Sequence, residues 1–552
     1  MNKKSFIEKI KPFAWLIILL FVSLVYIADP RFFGNPPLRS DDWNMLIEPA
    51  VYGSLDLVNL ADRRPFMMAL YAILAPIFQL NIPLYYVVNW LFLFISAVVV
   101  YLIVRSVFKH FPWLALPSAL IFLIYPVNYA RTWLVTQINT FALLLVLLAV
   151  LLIVRYLESG KSWRLIFSNL LIVLSFGIYE AGLGIILLTS LAVLLFYKSA
   201  SKKRRLWVQT TLLVTALFVL WRAIIQPALL ANPDFYLEST TSSLMTILER
   251  YVQGAFIFIY NWVGAIFVRF GSYKYYAFIG VMAVGLLLFV LLAWKKIRRL
   301  FSSEPKENEP RKKSIKDLLS ISGLGVLFWA AGYVPVILLW QPIFYGDGSR
   351  VNFAAVPGAA LALVALISAL LMVLFEGEDE AKTTKWVNIV AIPLVALGLF
   401  SQIHSQNFRF RIWQQMEEFW NQMFVLAPGI EPRTKLVIVI PGYEELAPFE
   451  MRPLRGDWEA ESAVRVLYHS EELFAEYYYL DMPDFPDNWQ PNGCDLEELL
   501  FVFYNPESGE TNIIQDPASI FDFPCAIENH DPDARITDLG DATGEYRWLV
   551  RD

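Results

Sequence analysis

The sequence predicts a mainly α-helical, polytopic membrane bundle of about eleven spans, followed by a small extracytoplasmic α/β domain. Three observations predict it. First, 57% of the 552 residues are apolar and 17% are charged, against roughly a quarter charged in an ordinary soluble protein. The mean hydropathy is +0.50, which excludes a disordered chain or a purely soluble enzyme and puts most of the length in lipid. Second, basic clusters fall between alternate apolar runs: Arg105/Lys109, Arg155/Lys161/Arg164, Lys198 to Arg205, and Lys295 to Lys316. That alternation is the positive-inside pattern. Third, the net charge of -5 hides an asymmetry: residues 404–552 hold about 10 Lys/Arg against about 29 Asp/Glu, leaving the remainder near +14. Such a split suggests two parts in different surroundings, and a basic, lipid-free surface suited to nucleic acid is missing.

The first span is Phe13 to Ala28, preceded by Lys3, Lys4, Lys9 and Lys11. The run continues into Asp29-Pro30-Arg31 rather than a small-residue cleavage site, so it reads as an uncleaved anchor with a cytoplasmic N-terminus. Further spans are expected near 84–107, 112–128, 135–156, 163–178, 180–198, 206–226, 276–294, 318–343, 352–375 and 385–403, each with close to the ~20 residues a crossing needs. The runs Pro65 to Leu80 and Tyr251 to Phe270 break the charge alternation if either is counted alone. Both are expected as helices lying in, or dipping into, the outer interface. These elements make a membrane domain over 1–403, with a first outer loop at 29–83 and a charged cytoplasmic linker at 295–317. There is no internal repeat, which weighs against a transporter built from inverted halves.

A connecting helix is expected over 404–428, because Phe410, Trp413, Phe419, Trp420 and Met423 share one helical face. The outer domain then occupies 429–552. Lys435 to Ile440 (KLVIVI) reads as a buried strand, Trp458 to Glu476 as a helix, and Leu499 to Tyr504 as another strand. About 120 residues suffice for a separate core. Both cysteines, Cys494 and Cys525, lie here and would suit one disulfide in an oxidising compartment.

Chemistry concentrates in the loops expected outside. The first holds Arg39-Ser40-Asp41-Asp42-Trp43 and then Asp62-Arg63-Arg64-Pro65-Phe66. A carboxylate beside a membrane span can take the proton of a bound hydroxyl; the same residues also suit the cap of a helix beginning at Trp43. Tyr345-Gly346-Asp347-Gly348-Ser349-Arg350 opens a late span, and a guanidinium there matches phosphate oxygens and keeps its charge at low dielectric. Tyr179-Glu180 sits between two short spans, where a lone carboxylate calls for a partner or a substrate. Arg131, with Gln137 and Asn139 beyond it, and Arg222 in the span 206–226 complete the set of ionisable or polar groups near the outer ends.

This layout (one N-terminal span, a long acid-bearing outer loop, many spans on short loops, a soluble outer tail) resembles the GT-C superfamily of integral-membrane glycosyltransferases. The resemblance is to the branch of protein O-mannosyltransferases and lipid A aminoarabinose transferases, and it covers most of residues 1–425. It implies a lipid-phosphate sugar donor and an Asp of the first outer loop as base or acceptor-orienting group. Asp41 and Asp42 match that position, with Asp41 slightly favoured. It implies a phosphate-binding Arg at Arg350, and Arg63-Arg64 and Tyr179-Glu180 also resemble the family.

The expected function is transfer of a sugar from a polyprenyl-phosphate carrier to an acceptor hydroxyl, with inversion, at the outer face of the cell membrane. The acceptor would be a glycan, lipid or protein; nucleic acid is not an expected partner. The alternative is a transporter, flippase or binding protein for lipid-linked sugars. No cofactor is required by the sequence: the four histidines share no ligand spacing. A divalent cation, Mg²⁺ or Mn²⁺, between the acidic pair and a phosphate remains an option of the family.

Overall fold

The computed structural model describes residues 13–27, 37–38, 41–55, 57–58, 64–127, 131, 133–196, 201–225, 243–267, 309–337, 347–374, 380–441, 457–479, 499–506, 508–515 and 532–537. The span expected at 276–294, residues 295–308 of the linker, Arg63 and both cysteines fall outside them; residues 309–317, expected as linker, instead open the helix Glu309–Ile337.

The chain is mainly helical with one small sheet region. Among the described residues, five helices are long and apolar enough to cross a membrane: Ile82–Val107, Gln137–Ser159, Lys313–Ile337, Ser349–Leu374 and Thr384–Leu426. Shorter apolar helices run over Ala14–Leu24, Ala69–Phe78, Pro112–Ile124, Ser162–Ile178 and Glu180–Leu195.

The helices used below are α1 (Ala14–Ile27), α2 (Glu48–Tyr52, entered through a π turn at Trp43–Ile47), α3 (Ala69–Phe78), α4 (Ile82–Val107) and α5 (Ala115–Ile124). They continue with α6 (Gln137–Ser159), α7 (Ser162–Ile178), α8 (Leu183–Phe196), α9 (Lys202–Val208), α10 (Thr210–Leu220), α11 (Leu244–Phe267), α12 (Glu309–Ile337), α13 (Val356–Leu374) and α14 (Glu380–Leu426). The helix α14 has 47 residues; the span expected at 385–403 and the connecting helix expected at 404–428 are therefore one element.

Where the positive-inside pattern grouped basic residues, the fold gathers several of them at one end. Lys109 and Arg155 both pair with Glu158, at 3.0 and 3.2 Å. The helix α6 stops at Gly160, whose φ of +73° suits a left-handed cap. Arg204 of α9 donates to the freed carbonyls of Leu157 and Glu158 at 2.9 and 3.1 Å. At the interface of α12 and α13, backbones meet through small residues. A side chain at Gly325, Gly332 or Gly358 would overlap the backbone of the facing helix or of the segment that leads into it.

The C-terminal unit is a four-stranded sheet in the order β3-β2-β4-β5, where β2 is Lys435–Ile440, β3 Phe474–Tyr479, β4 Leu499–Asn505 and β5 Glu510–Ile513. The two remaining strands, β1 (Gly429–Ile430) and β6 (Ile536–Thr537), pair antiparallel. The central strand β2 lies parallel to β3 and β4, and β5 returns antiparallel to β4. All six residues of β2 are buried, as its uninterrupted apolar run requires. Helix α15 (Asp457–Leu467) links β2 to β3. The helix expected over 458–476 thus ends nine residues early. His469 takes a positive φ of 49° in the turn that follows, and the aromatic run Phe474, Tyr477, Tyr478, Tyr479 prefers a strand.

This unit does not hang free of the helices. One apolar core joins Trp43, Leu46 and Ile47 of the first loop to Trp413 and Trp420 of α14, to Ala463 and Val464 of α15, and to Leu436 and Ile438 of β2. Tyr52 Oη donates to the Arg465 carbonyl at 2.9 Å, and Arg465 meets Glu48 at 3.3 Å. The first loop and the sheet unit therefore cap the same end of the bundle.

Candidate functional site

At this capped end an open cleft of about 820 Å³, its mouth included, is lined by Asp41, Arg64, Asn139, Tyr179, Glu180 and Arg350, with Met45, Met67, Ile138 and Val336 among its apolar walls. Three segments far apart in sequence build it.

The first segment is the loop-1 turn. Asp41 enters the π turn one helical turn before Met45, so the two share a face. Asp42, next along, points elsewhere. It is 1% exposed, and its Oδ1 accepts from the backbone N–H of Val135 at 2.7 Å. Asp42 thus ties the loop to the start of α6, and only Asp41 of the acidic pair lines the cleft.

The second segment is the α7–α8 turn. Arg64 donates from Nε and Nη2 to Glu180 at 2.9 and 3.1 Å, and its guanidinium lies 4.4 Å from the Tyr179 ring centre. The backbone sets this up: Phe66 N–H donates to Gly177 O at 2.9 Å. A Cβ at Gly177 would overlap the Phe66 ring, so the close approach requires glycine there. Arg222 is near enough to add positive potential at Glu180, without lining the cleft.

The third segment is the 3-10 stretch Asp347–Ala355 before α13. Here Arg350 Nη1 donates to Asp41 Oδ2 at 2.6 Å. Arg350 is held in place two residues on, where Asn352 accepts from Tyr333 Oη at 2.6 Å and donates to Val127 O at 2.8 Å. Tyr333 and Asn352 are both fully buried. Their role was not apparent from sequence, because Tyr333 lies inside an ordinary apolar helix.

Arg131 is placed differently from the expectation. It is fully buried, donates to the carbonyls of Leu123 and Phe122, and lies 5.3 Å from the Phe353 ring centre. It satisfies the last carbonyls of α5 and does not line the cleft. Arg409 of α14, not singled out from sequence, is 8% exposed and lies 4.4 Å from the Trp133 ring centre.

Among the described residues no three His, Cys, Asp or Glu converge. The two carboxylates of the cleft, Asp41 and Glu180, each face a guanidinium. What the arrangement offers is two positive groups, two carboxylates and an amide around one opening.

By sequence, the chain matches no family model and no curated protein. By structure, it is similar to the crystal structure of the oligosaccharyltransferase of Archaeoglobus fulgidus in the apo form. Identity is 16%, the TM-score is 0.39, and the match covers 79% of this chain and 63% of that one. The chain therefore spans less than two thirds of that protein, and a likeness at this level carries no inference about activity.

Proposed function

We propose that the protein is a membrane glycosyltransferase of GT-C type, which moves a sugar from a polyprenyl-phosphate donor to an acceptor hydroxyl at the extracytoplasmic face. The observation that carries this reading is the meeting of Asp41 and Arg350 at 2.6 Å in one cleft, across 309 residues of sequence. A base and a phosphate-binding cation are the two groups such a transfer needs, and both lie at the end capped by the soluble unit.

Asp41 takes the proton as the acceptor oxygen attacks the anomeric carbon. The bond from that carbon to the phosphate oxygen breaks, its electron pair stays on the phosphate, and the configuration inverts. Arg350 stabilises the charge that develops on the leaving phosphate. Tyr179, Arg64 and Glu180 line the same cleft, where hydroxyl groups of a sugar find donors and acceptors. Asp42 positions the loop rather than reacting. The gathering of Lys109, Arg155 and Arg204 at the far end supports a cytoplasmic N-terminus and an extracytoplasmic C-terminal unit in the cell envelope.

The test reads the lipid pool. Wild type, Asp41→Asn and Arg350→Ala are expressed at equal levels, and polyprenyl-phosphate sugars in membrane extracts are quantified by mass spectrometry. Both variants are expected to accumulate a lipid-linked sugar that wild type consumes, and its mass identifies the donor. Identical pools from folded, inserted proteins overturn the reading.

A further inference from the structure

Building on the phosphate-binding reading of Arg350, we propose that the Asp41–Arg350 pair is a latch. The donor's phosphate opens it, and its re-formation expels the spent lipid phosphate.

The two ion pairs of the cleft are not alike. Arg64 meets Glu180 through two nitrogens and stacks on Tyr179, a forked geometry that resists exchange. Arg350 meets Asp41 through Nη1, with side chains 29% and 15% exposed. Both pairs are partly exposed, with Arg64 and Glu180 at 25% and 21%, so the fork rather than burial sets them apart. Arg350 is thus the guanidinium that an incoming anion can claim. Until it does, Asp41 is turned toward Arg350 rather than toward an acceptor hydroxyl.

Among the described residues that line the cleft, two carboxylates and two guanidiniums face one another and their formal charges cancel. A phosphodiester donor brings one negative charge and competes with Asp41 for Arg350. Once it takes Arg350, the Asp41 carboxylate is released to receive a hydroxyl proton. The acceptor is therefore activated only when a donor is in place.

The return follows from the same charges. Transfer leaves a phosphate monoester dianion on Arg350 and the hydroxyl proton on Asp41. Neutral Asp41 cannot compete for the guanidinium. When it passes its proton to water at the open mouth, the carboxylate regains its charge, reclaims Arg350 and displaces the lipid phosphate.

The test is binding rather than turnover. Full-length protein in lipid nanodiscs is titrated with farnesyl phosphate, with farnesol as the uncharged control. Asp41→Asn removes the competing charge and is expected to bind farnesyl phosphate at least about fivefold more tightly than wild type, the lower end of typical coupling between two ligands. Asp41→Ser, a second neutral variant, is expected to do the same. Asp41→Glu keeps the charge and is expected to stay near wild type. The gain is expected to vanish when Arg350→Gln is added. Equal or weaker binding by both neutral variants overturns the latch while leaving the phosphate reading intact, provided wild type prefers farnesyl phosphate to farnesol. If wild type shows no such preference, the phosphate reading fails, and the latch with it.

Discussion

The adjacent aspartates of the first loop invite the same substitution with opposite consequences. Asp42 is 1% exposed and accepts from the Val135 N–H at 2.7 Å. Asp42→Ala leaves that amide buried without its acceptor, a loss of about 2 kcal/mol for a hydrogen bond to a charged group. At about 1.4 kcal/mol per tenfold change, local opening at Val135 becomes roughly 30-fold more frequent. Native-state hydrogen exchange read at the Val135 amide should speed up by that factor. Asp42→Asn retains an oxygen acceptor and should recover most of the protection. Asp41→Asn should leave Val135 exchange unchanged and abolish transfer. The reasoning fails if Asp42→Ala stops transfer while Val135 keeps its wild-type protection, because Asp42 would then act on substrate rather than on the loop.

Other substitutions probe the remaining walls. Gly177→Val drives a side chain into the Phe66 ring, so a cost of about 1–3 kcal/mol is expected, read as a lower thermal midpoint and faster proteolysis of the first loop. Asn352→Ala removes partners from both Tyr333 Oη and Val127 O; the expected result is a higher KM for donor, from a displaced Arg350, with about 1–2 kcal/mol lost in stability. Burial pushes the Glu461 carboxyl up, with Arg465 opposing and Glu48 and Glu476 adding to the rise. A raised carboxyl favours the fold when protonated, so its contribution is present below the ordinary carboxylate range and is lost as pH rises through the raised value. Glu461→Gln should therefore flatten the fall in thermal midpoint over that window, measured on the full chain.

Composition and charge were enough to read the helical class, because lipid demands long apolar runs and leaves them easy to see. The strands at Lys435–Ile440 and Leu499–Asn505 were legible for a related reason: a central strand buried on both faces is a short continuous apolar run. The strand β3 was not, since Glu476 interrupts its apolar pattern and pairs with Lys435 of β2, a contact made only after folding. In the site, Asp41, Arg64, Tyr179, Glu180 and Arg350 were singled out from sequence, and one cleft collects them. The sequence left Asp41 and Asp42 nearly equal, because neighbours on a chain have no stated direction until the turn forms. Arg131 misled because a buried guanidinium satisfying helix carbonyls and one awaiting a ligand look alike in sequence. Arg465 and Glu48 lie 417 positions apart, and no local pattern announces that they meet.

The unbroken α14 has a mechanical consequence. A helix of 47 residues, even with Pro393 within it, is about 70 Å of rod, and the sheet unit is mounted on its far part while its near part runs among the membrane helices. Such a rod transmits angle as well as distance. One residue inserted between Ser401 and Gln406 would turn the unit by about 100° and raise it by about 1.5 Å, swinging Arg465 away from Glu48. The chain between the bilayer and the cap is thus phased like the teeth of a gear: it admits changes of side chain, but a change of length there puts the first loop out of step with the cap that holds it.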